Sequence, residues 1–132
     1  EWGVLVSEGS KLAQKTSVTP QDLADKSLLF ARRDLVKCEL MNWFGSYADD
    51  LNIVACGNLP FNLSMLVQQG MGAYLSIRKS CQYDGVCFRP LSPKLESNVV
   101  LAWKKNQAMS PAAQKLLEEA KKYIECISCD KE

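Results

Sequence analysis

At 132 residues, with 47% hydrophobic and 23% charged side chains, the chain has the size and composition of one globular domain, which excludes a disordered or fibrous protein. Sixteen basic against fifteen acidic residues leave a net charge of +1, and this excludes the basic footprint of a nucleic-acid-binding surface. Apolar runs such as Trp2 to Val6 fall far short of the ~20 residues that a membrane-spanning helix needs.

Trp2-Gly-Val-Leu-Val6 is apolar and β-rich, and predicts a buried strand followed by a polar stretch from Ser7 to Ser17. Thr19-Pro20-Gln21-Asp22 predicts a short helix ending near Lys26: Thr19 is a cap, Pro20 suits the first helical position, and Asp22 stands where a capping-box acid reaches back. Ser27 to Phe30 predicts a second strand, and Ala31-Arg32-Arg33 a loop. Asp34 then caps a helix running to Gly45, with Leu35, Cys38, Met41 and Phe44 on the inward face. Leu51 to Cys56 is the third predicted strand. Gly57 to Phe61 makes the next loop, with Asn62 available to cap a helix from Leu63 to Gln69. Gly70-Met-Gly72 breaks that helix, and Ala73 to Ile77 supplies a fourth strand.

Strand, loop and helix alternate here without hairpin turns, which predicts βαβ units: an α/β fold with a mainly parallel sheet and helices on both faces. In such sheets ligands bind at the carboxyl ends of the strands, here the loops Ala31 to Asp34 and Gly57 to Asn62. The last third differs, with strands at Val86 to Phe88 and Asn98 to Trp103 and no helix between them. Ser110-Pro111 then opens a helix to about residue 125, with Leu116, Leu117, Ala120, Tyr123 and Ile124 at helical spacing.

The chain has no histidine, so no Ser-His or Cys-His pair exists, and no enzymatic constellation is visible. Cys126-x-x-Cys129 lacks the second ligand pair of a zinc site, and Gly70-Met-Gly72 lacks the third glycine of a phosphate loop; neither a metal nor a cofactor is implied. Cys38 and Cys56 sit in apolar periodic segments, which predicts reduced thiols rather than a disulfide framework. Trp2, Trp43 and Trp103 lie in apolar patterns, as core residues do, and the Lys104-Lys105 and Lys121-Lys122 pairs fit a solvated face. Arg32-Arg33-Asp34 allows two readings, an anion held beside a helix start or a solvated loop. Asn58, Phe61 and Asn62 admit the same pair of readings, with capping as the plainer use of Asn62.

Taken in order, several segments resemble the second half of the effector-binding domain of LysR-type transcriptional regulators. They are Trp2-Gly-Val-Leu-Val6, Lys11-Leu-Ala13, Thr19-Pro-Gln-Asp-Leu23, Leu63 to Ile77, Phe88-Arg-Pro-Leu-Ser-Pro93, Leu101-Ala-Trp-Lys-Lys105 and Ser110-Pro-Ala-Ala113. The family's histidine and proline after the first strand are missing; Ser10 and Lys11 stand there, and Ile77 stands at a usual proline.

The resemblance implies a lobe of a type 2 periplasmic-binding-protein fold. Residues 1–103 would form the second lobe with crossover strands at 2–6 and 99–103. Residues 104–132, with a helix at about 110–125, would belong to the first lobe. It also implies a cytoplasmic, non-enzymatic sensor of a small, anionic metabolite, contacted by Ala31, Arg32, Arg33, Asn58, Phe61 and Asn62. DNA would be engaged only through a winged helix-turn-helix that this excised piece lacks, and the chain would form a homodimer or higher oligomer. The alternative is a solute-binding domain of a transport system.

Overall fold

A computed structural model describes residues 1–32, 34–78, 83–98, 100–104 and 108–129, with side chains described except at 34–37 and 125–129. The chain divides into two units, Glu1–Asn98 and Val99–Glu132.

In the first unit five strands form one sheet in the order β3-β2-β4-β1-β5: β1 Trp2–Ser7, β2 Ser27–Ala31, β3 Asn52–Gly57, β4 Ala73–Ile77 and β5 Val86–Pro90. β2 pairs in parallel with both β3 and β4, whereas β1 is antiparallel to β4 and to β5. Four strands thus point one way and β1 runs back between two of them. The α/β class and largely parallel sheet expected from the strand–helix alternation are present.

Alternation along the strands supplies a core on each face, because successive side chains point to opposite sides of a pleated sheet. Trp2, Val4 and Val6 of β1, Leu28 and Phe30 of β2, and Ala73 and Leu75 of β4 share one buried cluster. Helices α1 (Pro20–Ala24) and α2 (Asp34–Phe44) cover it through Leu23, Leu40 and Phe44. The intervening residues Leu29 and Tyr74 join Leu63 and Val67 of α3 (Pro60–Gln68) on the other face.

The α1 start forms as the sequence dictates. Thr19 Oγ1 accepts from the Asp22 backbone N–H at 3.4 Å, and the Asp22 carboxylate accepts from the Thr19 N–H at 3.1 Å. A hydrogen bond from Lys15 at 2.6 Å, then the Thr19 N–H, holds the Asp22 carboxyl below the usual aspartate range. Gly70 ends α3 at φ 78°, and Gly45 follows α2 at φ 56°, both in the left-handed region expected of C-terminal glycines.

Four expectations are corrected. The stretch after β1, polar by sequence, is not wholly solvated: Lys11–Gln14 forms a 3-10 turn capped by Ser10, and it buries Leu12 and Ala13. The inward stripe of α2 runs through Leu40 and Phe44, while Cys38 is exposed. Position 40 precedes 44 by one helical turn, as 38 does not. Cys56 is exposed too, on edge strand β3, so neither cysteine acts as a core hydrophobe. Cys38, Cys56 and Cys87 are free thiols, as expected; the other three lie outside the described side chains.

Finally, Asn98 and Val100–Lys104 carry no strand. Within the second unit, Lys121 Nζ lies 5.5 Å from the centroid of the Trp103 ring. The helix α4 (Pro111–Cys129) starts at Ser110, whose Oγ accepts from the Ala113 N–H at 3.2 Å, and runs beyond the predicted end near 125.

Candidate functional site at the carboxyl edge of the sheet

β2 and β3 end level with each other, Ala31 opposite Gly57. The Arg32 N–H donates to the Gly57 carbonyl at 2.8 Å, which ties the two following loops together where the strands stop. Ala31, Arg32, Asn58, Phe61 and Asn62 are thereby gathered at one edge, because both strands are parallel and both loops leave from their carboxyl ends. Arg33 lies outside the described residues, as does the Asp34 side chain. Arg32 is exposed, and among the described residues its guanidinium has no ion-pair partner.

The start of α3 differs from the sequence expectation. Leu59 is the capping position and Pro60 the first helical residue, so Asn62 stands inside the first turn and caps nothing. A leucine side chain has no acceptor, and the first-turn N–H groups of Phe61 and Asn62 are left without a side-chain cap. A helix start in this state favours negative charge. Phe61 is 59% exposed, and its ring centroid lies 6.1 Å from that of Tyr83. Ser64, fully buried, donates its hydroxyl to the Phe61 carbonyl at 2.7 Å and fixes the turn from within.

The same edge holds a residue that the sequence reading passes over. Arg78 directly follows β4, another strand pointing this way. Its Nε donates to Glu1 Oε2 at 2.8 Å, its N–H donates to the Glu1 carbonyl at 2.8 Å, and its guanidinium lies 4.7 Å from the Phe88 ring centroid. The rule that singles out Arg32, a basic residue just past a parallel strand, also applies to Arg78. Unlike Arg32, it already has a carboxylate partner. No group of His, Cys, Asp or Glu able to hold a metal ion exists among the described residues, and no helix among them is long and apolar enough to cross a membrane.

An α/β sheet whose polar side chains and bare helix start collect at the carboxyl edge is an architecture for binding small molecules. The family model of the LysR substrate binding domain matches residues 1–125, and the chain belongs to that family. Its fold is similar to that of HinK, a LysR family transcriptional regulator from Pseudomonas aeruginosa, with a TM-score of 0.74 and 21% identity over 89% of this chain and 42% of that one. It is also similar to the effector binding domain of QuiR in complex with shikimate, with a TM-score of 0.69 and 22% identity over 93% of this chain and 60% of that one. The C-terminal domain of a probable LysR family regulator from Rhodococcus sp. RHA1 gives a TM-score of 0.68 and 22% identity over 87% and 60% of the two chains. The chain thus spans 42–60% of the length of these relatives. No curated protein sequence matches it.

Proposed function

We propose that this chain senses an anionic small molecule at the carboxyl edge of its sheet, as effector-binding part of a cytoplasmic LysR-type transcriptional regulator. It is a binding module rather than an enzyme, and DNA is engaged through a separate winged helix-turn-helix domain. The effector contacts are Ala31, Arg32, Arg33, Asn58, Phe61 and Asn62. The observation that carries the reading is the 2.8 Å bond from the Arg32 backbone N–H to Gly57, which ties an exposed arginine without an ion-pair partner among the described residues to the loop that leads into the uncapped α3 start. The QuiR domain, whose structure contains shikimate, supports a carboxylate as the ligand.

Calorimetry with shikimate and a panel of other ring carboxylates tests this. Arg32→Ala is expected to weaken binding by about tenfold or more, the loss typical of one hydrogen bond to a charged group. Asn58→Ala should have a smaller effect. Equal affinity for the wild type and Arg32→Ala, or no carboxylate bound by the wild type, would remove the anion reading.

The chain further assembles as a two-fold homodimer. Support comes from α4, where Leu116 and Tyr123 are about 70% exposed on the helix's apolar side. Light scattering on the eluting protein is expected to give twice the 14.7 kDa chain mass, and Leu116→Lys to return it to one. A wild-type monomer at micromolar concentration would end this part of the proposal.

A further inference from the structure

Between Ser92 and Asn98 the chain leaves the first unit without a strand or helix to guide it. The Ser92 N–H donates to the Val18 carbonyl at 2.8 Å, and beyond it the course is set by contacts to two elements. Toward β1, the Trp2 N–H donates to the Leu95 carbonyl at 2.8 Å, and Trp2 Nε1 donates to Ser97 Oγ at 2.7 Å. Toward α2, Trp43 Nε1 donates to the Pro93 carbonyl at 2.7 Å, and Ser97 Oγ donates to Glu39 Oε2 at 2.7 Å.

The Ser97 hydroxyl is therefore the joint. An indole N–H can only donate, so the hydroxyl oxygen accepts from Trp2; its single hydrogen is then left for the Glu39 carboxylate, which can only accept. Both partners are distant in sequence, 95 and 58 residues away, so the joint is a tertiary device and not a local turn. Trp2 is a fixed anchor: its side chain is buried, and it pairs with Ile77 in the sheet. Glu39 is on the exposed side of α2, next to the buried Leu40.

α2 begins at Asp34, two residues after Arg32, and a helix carries a displacement of its first turn along its length as a nearly rigid rod. Glu39 is five residues in, about 7.5 Å along the axis at the usual rise. We propose that Glu39 and Ser97 are positioning residues of a coupling relay, through which the position of α2 sets that of the segment from Pro93 to Asn98 within the first unit. The functional meaning of the relay rests on the Arg32 edge being the effector site; its existence does not.

Amide hydrogen exchange on the whole chain tests the relay without a ligand. Two sites are read, the Leu40 to Phe44 amides in α2 and the Trp2 amide, which donates to the Leu95 carbonyl of the exit, with Val4 to Val6 and Leu75 as the reference for global opening. Glu39→Ala should accelerate both sites by about fivefold, the scale of one lost hydrogen bond, and Ser97→Ala by more, because it also removes the acceptor of Trp2 Nε1; the reference should stay unchanged. Glu39→Gln keeps an acceptor for the Ser97 hydroxyl and should stay near the wild type. The double substitution should exchange no faster than Ser97→Ala alone, because the Glu39 link is already lost in that variant.

The relay is overturned if the effect of the double substitution is the product of the two single effects, or if each substitution accelerates only its own site. It is equally overturned if Glu39→Gln behaves as Glu39→Ala does. Because Glu39 is exposed, its replacement does not threaten folding, and a result confined to that residue stays interpretable. Failure here would leave the anion reading intact, and failure of the calorimetry would leave the relay intact.

Discussion

Phe30→Ala is expected to destabilise the first unit by about 3–5 kcal/mol, the range for removing a large buried aromatic side chain. Phe30 is 2% exposed, on the strand that pairs with both β3 and β4, and it shares its cluster with Leu28, Leu40, Phe44 and Leu75. Domains of this size are stable by only about 5–15 kcal/mol, so the loss would consume a large share of the total. The effect should reach the candidate site as well, because Phe30 immediately precedes Ala31, whose pairing with Gly57 brings the two site loops together. Urea unfolding should show a much lower midpoint at an unchanged slope. Val54→Ala, on the exposed edge strand, should move the midpoint little. A loss below about 1.5 kcal/mol for Phe30→Ala would mean that the cluster closes over the gap or is not the centre of stability.

The parts of the fold that were legible in the sequence are those where a local pattern has one physical solution. The four β segments before Val86 are short apolar runs bounded by turn residues, and the capping box at Thr19 and Asp22 needs only residues three apart. Parallel strand order then places the Arg32 and Asn58 loops at one edge without any knowledge of side-chain packing.

Three kinds of feature were not legible. Helix starts were displaced where two caps competed: Asn62 is the better capping residue, yet Pro60 fits only at a first turn and takes the helix start with it. Helix faces slipped where apolar residues surround the helix, so that Cys38 was assigned inward although Leu40 and Phe44 hold the buried face. Contacts between distant residues had no sequence signal at all. Neither the link from Trp2 through Ser97 to Glu39 nor the pair of Arg78 with Glu1 follows from any window of neighbours. Arg78 itself could have been found by applying the strand-end rule to β4 as well as β2.

Gly3→Ala is expected to cost about 1–3 kcal/mol, the range for overpacking a tight core, although glycine in a strand is ordinarily a weak choice. Gly3 lies in the middle of the antiparallel part of the sheet, opposite Ser76 on one side and Pro90 on the other. A Cβ there would meet Phe88 Cζ at 2.2 Å and the Arg89 carbonyl oxygen at 2.4 Å, closer than real side chains approach. The Phe88 ring can swing aside, at the expense of its contact with the Arg78 guanidinium; the carbonyl belongs to the β5 backbone and cannot move without straining the pairing of Gly3 with Pro90.

Gly9 provides the control, since a Cβ there meets nothing within 4 Å and Gly9 lacks a positive φ. Gly9→Ala should be neutral or stabilise by up to about 1 kcal/mol, because alanine restricts the unfolded chain. The two alanine substitutions change the unfolded state alike, so the difference between their urea midpoints isolates the clash in the folded state. Equal midpoints would show that the Phe88 ring and the β5 backbone yield freely, and that the close approach over Gly3 does not hold the β1–β5 edge together.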